Sequence, residues 1–499
     1  MAETIPSQPT DAARGEPSAL GWLLVITGIA AAVRFYGLEQ QLWYDEITTL
    51  LDSVRKPLWE IVTTYETQNQ HTLYSILARI SVITLGESNA ALRLPAVLFG
   101  TAAVPALYWF ARHITDRAEA QLAAALLAVS YHQVWFSQNA RGYTMLLLWT
   151  LAATTLFLRG VRQPSRAVWL GYGAILALGM YTHLTMAFVA AGHGLVWLWM
   201  LADTGHVPEA FPEKRWLPLT GFGAAGALTL LLYAPVLPQM FTRTVGGTAA
   251  SVGSQWTNPM WLVWETARGL FGAGDSAAAW IKVAAGAGIA GGILLAGLIS
   301  YWKQDRALAA LLVLPGVVTA AVMLALGHNL WPRFFFFAIG FAFLLVFRGL
   351  RVFADWATPR AGRHPEAGRR IGTAAALLLI GVSTWTMPPA FLYPKQDFAG
   401  AMDFVERVNI QNQRVLTAGL ATLPYVRYYQ RDWPAAETAA QLREFRANGT
   451  TGWVVYSMPI FIRSRQPEIW NAIESEFTTV RIFRGTLGSG EVYVARTKP

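Results

Sequence analysis

A chain of 499 residues that is 54% hydrophobic and only 14% charged, with mean hydropathy +0.35, has the composition of a membrane protein; soluble domains carry about 25% charged residues. Its net charge of +9 is spread over short loops between apolar runs, a pattern of membrane topology rather than of nucleic-acid binding. With no cysteine in the sequence, disulfides, thiolate metal sites and cysteine nucleophiles are excluded.

The first residues, Met1 to Ser18, are polar and carry both signs of charge. No small-residue cleavage site follows the first apolar run, so that run reads as a retained span and not a signal peptide. Candidate spans then cover Ala19 to Leu38, Ala91 to Arg112, Ala118 to Phe136, Tyr143 to Arg159, Ala167 to Tyr181, and Leu184 to Leu201. They continue over Trp216 to Val236, Ala279 to Tyr301, Ala307 to Gly327, Phe334 to Leu350, and Ile371 to Phe391. The expected architecture is therefore a polytopic α-helical membrane protein of about eleven spans.

Between the first two spans lies a loop, residues 39–90, that holds its own apolar pattern. Ile47, Leu50, Leu51, Val54, Leu58, Ile61 and Val62 keep helical spacing, broken by Pro57. They predict a pair of amphipathic helices in the interface or packed as ordinary core. His71 to Gly86 carries a further helical stripe with Arg79 near its middle, but at 1.5 Å per residue it reaches only about 24 Å. Read as non-crossing, with the N-terminus inside, it places Arg112 to Arg117, Arg159 to Arg166 and Arg348 to Arg370 in the cytoplasm. Read as crossing, it moves all three outward, against the positive-inside rule. The non-crossing topology is adopted. It sets the first loop, the turn at Ser137 to Tyr143, the loop from Leu237 to Ala278 and the C-terminal tail on the outer face.

From residue 393 to 499 the apolar runs end. Asp397 to Val408 and Glu468 to Phe477 read as helices, and Val415 to Ala418, Trp453 to Tyr456, Val480 to Phe483 and Val492 to Ala495 as strands. A small extracytoplasmic α/β domain fits, after a cytoplasmic tail over 1–18 and a transmembrane domain over 19–392. It shows neither a glycine-rich phosphate loop nor a nucleophile elbow, so its expected role is to cover or shape a site in the membrane domain. There is no apparent internal repeat.

The chemistry is concentrated on the outer face. Gln41-Leu42-Trp43-Tyr44-Asp45-Glu46 places two carboxylates behind two aromatic rings just past the first span. Acids at a membrane boundary commonly mark a functional path, although Asp45 also suits a helix N-cap. His71 opens the short helix, with Tyr74 a turn later. Ser137-Gln138-Asn139-Ala140-Arg141-Gly142-Tyr143 is a dense polar turn. Its Arg141 suits either a phosphate or a snorkelling anchor. Tyr181-Thr182-His183 joins two spans with almost no loop, and Asn329-Leu330-Trp331-Pro332-Arg333 precedes an aromatic run. Arg333 is a second candidate phosphate ligand, or an interfacial anchor.

Trp43-Tyr44-Asp45-Glu46, His71-Thr72-Leu73-Tyr74, Arg93-Leu94-Pro95, the Ser137–Tyr143 turn and Pro332-Arg333-Phe334, in that order, resemble the bacterial membrane glycosyltransferases of family 39. These are GT-C enzymes related to protein O-mannosyltransferases and to the lipid A aminoarabinose transferase. Lys395-Gln396-Asp397-Phe398 is similar to the start of their soluble domain. The family often shows His-Pro-Pro-Leu-Tyr where this chain has the shorter His71-Thr72-Leu73-Tyr74.

The resemblance implies a GT-C fold, a sugar donor on polyprenyl phosphate, an extracytoplasmic acceptor, and a general base at the position of Asp45. It implies a multi-pass protein of the bacterial cytoplasmic (inner) membrane with its active site on the extracytoplasmic face. The catalytic candidates are Asp45 and Glu46. Substrate-binding candidates are Trp43, Tyr44, His71, Tyr74, Gln138, Arg141, Tyr143, His183 and Arg333. Asp45 would take a proton from the acceptor hydroxyl. Arg141, Arg333 and a protonated His71 would offset charge on the leaving phosphate, and Glu46 would orient a neighbour or share the base role. No cofactor or metal is called for; a divalent cation held by Asp45 and Glu46 is a minor alternative. The expected partners are the lipid-linked donor, membrane lipid and the acceptor (lipid, polysaccharide or protein), with no nucleic acid. The competing reading is a transporter or flippase of lipid-linked sugars without transfer activity. A transporter is expected to carry charge near span centres or paired broken helices, whereas here the charges sit at span ends.

Overall fold

The computed structural model describes residues 17–66, 70–203, 207–245, 277–327, 330–358, 365–447 and 450–498. The tail before Pro17, most of the loop from Leu237 to Ala278, and Asn329, Arg360 and Arg363 lie outside the described residues.

The first helix, α1 (Pro17–Phe35), leads into a first loop built of α2 (Tyr44–Thr49), a π turn over Leu50–Val54, and α3 (Leu58–Thr63), with Pro57 at the break. The next helices are α4 (Thr72–Leu85), α5 (Asn89–Arg112), α6 (Arg117–Val129), α7 (Tyr131–Ser137) and α8 (Tyr143–Arg162). The bundle continues through α9 (Arg166–Thr182), α10 (Met186–Ala202), α11 (Pro218–Tyr233), α12 (Leu237–Val245), α13 (Ala277–Gln304) and α14 (Arg306–Ala325). A 3₁₀ segment over Pro332–Ala338 then runs into α15 (Ile339–Ala357), followed by α16 (Pro365–Trp385) and the single turn α17 (Pro389–Leu392). Every expected span falls on helix, and 7 helical stretches among the described residues are long and apolar enough to cross a membrane on their own. The expected spans near the start, over 118–136, and over 167–201 fall on shorter helices.

Two places depart from the sequence reading for physical reasons. The single helix expected over Ala118 to Phe136 is broken at Ser130, whose backbone is extended (φ −69°, ψ 125°). The break frees carbonyls of the last turn of α6. The buried Arg34 guanidinium takes two of them, donating to Leu127 O (2.9 Å) and Ala128 O (2.8 Å), and its Nε reaches Ser137 Oγ at 3.1 Å. The span expected from Phe334 instead begins as a 3₁₀ segment at Pro332, where proline suits the first position.

The bundle has two distinct ends. At one, Arg348 pairs with Glu119 and reaches Thr115, Arg351 pairs with Asp116, and Arg162 donates to His113 O. The basic loops therefore gather together. At the other end, α4 lies across the bundle and not through it. It starts at His71, beside Arg141. Just beyond its far end, Glu87 pairs with Arg55 of the first loop and Asn89 donates to Gln40 O. Tyr74 and Ser81 donate from its inner face to the carbonyls of Leu92 and Ala91 at the start of α5. Helix α8 runs from one end to the other, so the His71 face and the basic loops are opposed.

Small residues let the helices close up, as expected where lipid supplies no hydrophobic contrast. A Cβ at Gly297 of α13 would strike the Leu345 carbonyl of α15, and one at Gly349 would strike that of Ile293.

After α18 (Phe398–Val408) the tail forms β1 (Val415–Gly419), α19 (Ala439–Ala447), β2 (Trp453–Ser457), α20 (Pro459–Arg465), α21 (Pro467–Glu476), β3 (Phe477–Phe483) and β4 (Val492–Thr497). The sheet order is β1-β2-β4-β3, with β1 and β2 parallel and the other pairs antiparallel. Alternation along β1 and β2 buries both faces. Leu416, Ala418, Val454 and Tyr456 meet the core of α19 to α21. Val415, Trp453 and Val455 share a second core with Phe398 of α18 and, across the domain boundary, with Leu42, Ile47, Tyr74 and Ala140. The tail is thus packed directly onto the first loop and the Ser137–Tyr143 turn.

Candidate active site

The first loop brings its two acids into different environments. Consecutive residues on a helix point in different directions, and here each carboxylate meets its own arginine. Glu46 is wholly buried and accepts from Arg93 through both oxygens (2.7 and 2.6 Å). It also accepts from the Ala140 amide at 2.8 Å. Burial alone would raise its pKa; Arg93 and Lys395 outweigh that and hold the carboxyl below the usual range. Arg93 in turn donates to the carbonyls of Leu38, Gln40 and Gln41. This pair ties the end of α1, the first loop and the polar turn together.

Asp45 is 7% exposed and faces Arg333, with Oδ2 3.2 Å from Nη1. Arg333 comes from the 3₁₀ segment, its guanidinium lying over the rings of Trp331 and Phe334. Its Nε is buried and has no hydrogen-bond partner among the described residues. Arg141 is buried and donates to Thr49 Oγ1 at 3.2 Å. Its Nη2 lies 2.9 Å from His71 Nε2. His71 Nδ1 accepts from the Gly142 amide at 2.9 Å. Burial, reinforced by Arg141, His183 and Arg333, pushes the His71 pKa well below its ordinary value, so the ring is neutral. A neutral ring whose Nδ1 is an acceptor carries its proton on Nε2, which then faces another donor. The condition under which His71 was expected to add positive charge is therefore not met.

The match to a family model described as dolichyl-phosphate-mannose-protein mannosyltransferase covers residues 72–238, from the helix after His71 through the Arg141 turn. Among solved structures, ArnT from Cupriavidus metallidurans in the apo state is 14% identical. It covers 96% of this chain and 98% of its own, with a TM-score of 0.52. The chain has the GT-C fold, and its residues 72–238 are similar to the mannosyltransferase family. The GT-C fold also extends to the oligosaccharyltransferase AglB from Archaeoglobus fulgidus, solved with an inhibitory peptide and a dolichol-phosphate. That chain is 12% identical with a TM-score of 0.53, over 96% of this chain and 74% of that one. No curated protein sequence matches the chain.

The remaining candidates on this GT-C fold separate into those that line the charged centre and those that hold it. Tyr143 and His183 stand against His71, with ring centroids 5.3 and 4.5 Å away. His183 Nδ1 meets the amide and hydroxyl of Thr185. Trp43 is buried and donates through Nε1 to Asn139 Oδ1 at 3.0 Å. Tyr44 sends its amide to Gln396 Oε1. The Tyr74 hydroxyl is committed to the Leu92 carbonyl, and the Gln138 amide nitrogen reaches the carbonyls of Arg34 and Tyr36. Trp43, Tyr74 and Gln138 thus bond protein groups at the rim. Arg93, Lys395 and Gln396 were quoted in motifs but given no role. The available signal was a lone arginine inside an apolar helix, which needs a buried partner.

Among the described residues no group of three or more His, Asp or Glu side chains converges to hold a metal ion. Asp45 and Glu46 are each engaged by a separate arginine in this arrangement.

Proposed function

We propose that this enzyme moves a sugar from a polyprenyl-phosphate donor to a hydroxyl acceptor on the extracytoplasmic face of the bacterial cytoplasmic (inner) membrane, with Asp45 as the base. The observation that carries the reading is the pairing of a little-exposed Asp45 with Arg333, beside Arg141 and His71, at the end of the bundle opposite the basic loops. That arrangement sets one carboxylate against a cluster of donors with positive charge in excess. The dolichol-phosphate in the AglB structure is of the same lipid-phosphate chemistry.

Displacement at an anomeric carbon needs a base on the acceptor side and stabilisation of the departing phosphate on the other. Arg141, the free Nε of Arg333 and the Nε2–H of His71 supply that stabilisation. A phosphate oxygen seated between His71 and Arg141 accepts from both and relieves the contact between two donors. Because phosphate leaves readily, no strong general acid is required. Glu46 serves as a positioning residue, its oxygens already taken by Arg93 and the Ala140 amide.

The test is transfer by purified protein from a panel of radiolabelled polyprenyl-phosphate hexoses and pentoses, followed by thin-layer analysis. Membranes containing and lacking the protein supply the acceptors. Donor depletion that requires Asp45 supports the reading. Donor binding or translocation without depletion across the panel would replace it with a flippase.

A further inference from the structure

Between the end of the bundle and the sheet, three consecutive tail residues reach into the site. Lys395 is 5% exposed, yet it belongs to none of the chemistry assigned above. Its Nζ donates to the Gln138 carbonyl at 2.6 Å and lies 5.3 Å over the Trp135 ring. Gln396 is buried and spans two domains. Its Oε1 accepts from the Tyr44 amide at 3.0 Å, and its Nε2 donates to the Gly490 carbonyl at 3.0 Å. Gln41 and the start of α18 exchange two further bonds, Gln41 Nε2 to Asp397 Oδ1 and the Ala399 amide to Gln41 Oε1. The backbone of the triplet is itself held by the β3–β4 connection, through Thr486 and Leu487 to the carbonyls of Pro394 and Lys395.

We propose that Lys395 and Gln396 are positioning residues for sugar transfer, fixing the separation between the Asp45 carboxylate and the Arg141 turn from the tail side. Gln396 grips the residue before Asp45, and Lys395 grips the turn that ends in Arg141. The two sides of the reaction come from segments nearly a hundred residues apart in sequence that bond each other directly, and the tail touches both from outside. Displacing a catalytic group by about 1 Å can cost roughly 10²-fold in rate, so a latch at this place acts on turnover more than on donor affinity.

The latch also carries a titratable group. The charged groups that act on Lys395 are Glu46 of the first loop and Arg93 of α5. Burial lowers the amine to about 7, opposed by Glu46 and assisted by Arg93. The ammonium, which both the carbonyl and the Trp135 face favour, is present below that value and lost above it. Turnover therefore declines as pH rises through neutrality.

This inference rests on the transferase reading above, so the wild-type enzyme is measured first, with the panel donor it consumes. K395M and Q396A are then compared with it for kcat, KM and binding of polyprenyl phosphate. The expected result is a fall in kcat of about 10²-fold for K395M and about tenfold for Q396A, with binding of polyprenyl phosphate changed less than threefold. In K395M the decline above neutral pH disappears. Amide exchange over 41–49 and 137–142 rises in both variants. If K395M does not fold, Q396A carries the test alone through kcat and exchange. Wild-type kcat in Q396A, or in K395M together with an unchanged pH profile, overturns the latch. Failure of the wild type to consume any donor while binding polyprenyl phosphate overturns the transferase reading instead.

Discussion

Asp45 and Glu46 are neighbours in sequence and differ in everything that follows from folding. Glu46 sits in a buried ion pair with Arg93, and removing one member of such a pair typically costs about 3–5 kcal/mol. Glu46→Gln is therefore expected to lower thermal stability in detergent sharply. Because the Glu46 carboxyl is held below its ordinary range, its contribution is present above the unfolded-state carboxylate pKa and is lost as pH falls through the depressed folded value. The wild type should thus lose stability on acidification, and Glu46→Gln should lose less of it, as read by melting curves across pH. Asp45→Asn should behave oppositely. Asp45 lies inside α2, whose N-cap is Trp43, so it is not the helix cap the sequence also allowed. Asn keeps its shape, so stability stays near wild type while the transfer rate falls about 10² to 10⁴-fold. Full activity in Asp45→Asn would leave this residue as a structural partner of Arg333 only.

Arg141 is judged by geometry and not by charge alone. Its guanidinium reaches Thr49 and His71 from one planar fork, a shape that lysine does not share. Arg141→Lys is expected to reduce kcat at least tenfold while the protein stays folded, measured with the same labelled donor. Wild-type rates in both Arg141→Lys and Arg141→Ala would make it an interfacial anchor only.

At the scale of elements, the placement of α4 bears on the expected topology. Its start and the residues following its end both touch the first loop or the polar turn, so the short, Arg79-bearing helix lies across the bundle end. That geometry supports the topology in which the basic loops are inside and the tail is outside. Alkaline phosphatase fused after Tyr393 should be active, and fused within Thr358 to Arg370 inactive. The reverse pattern would put the site on the cytoplasmic face. The α18 and β1–β2 surface of the tail domain shares a core with Leu42, Ile47 and Ala140, which makes it part of the site's scaffold.

For the whole molecule, the charge arrangement bears on metal dependence. Asp45 and Glu46 are each held by an arginine, leaving a centre suited to an anion more than to a divalent cation. Transfer is expected to continue undiminished in EDTA, and added magnesium or manganese should not raise it. Activity lost in EDTA and restored by one of these ions would show that the two carboxylates rearrange around a cation once the donor binds.

Much of this molecule was legible in its sequence because its strongest signals are local. Long apolar runs dictate helices in a bilayer, Pro57 divides the first loop, and the short apolar runs Val415 to Ala418 and Trp453 to Tyr456 read as buried strands. The cluster of Asp45, His71, Arg141 and Arg333 was legible as a group, since all four fall at span ends on one predicted face. Only the tertiary structure decided how those groups pair. Nothing local distinguishes Asp45 from Glu46; the difference arises because Arg93, three helices later, takes one carboxylate, and Arg333, nearly three hundred residues later, meets the other. The break at Ser130 was equally hidden, because it depends on Arg34 of a different helix to take the carbonyls it frees. Lys395 and Gln396 act across a domain boundary. Apolar periodicity is a property of neighbouring residues, whereas a buried charge is defined by its partner, and partners are chosen by the fold.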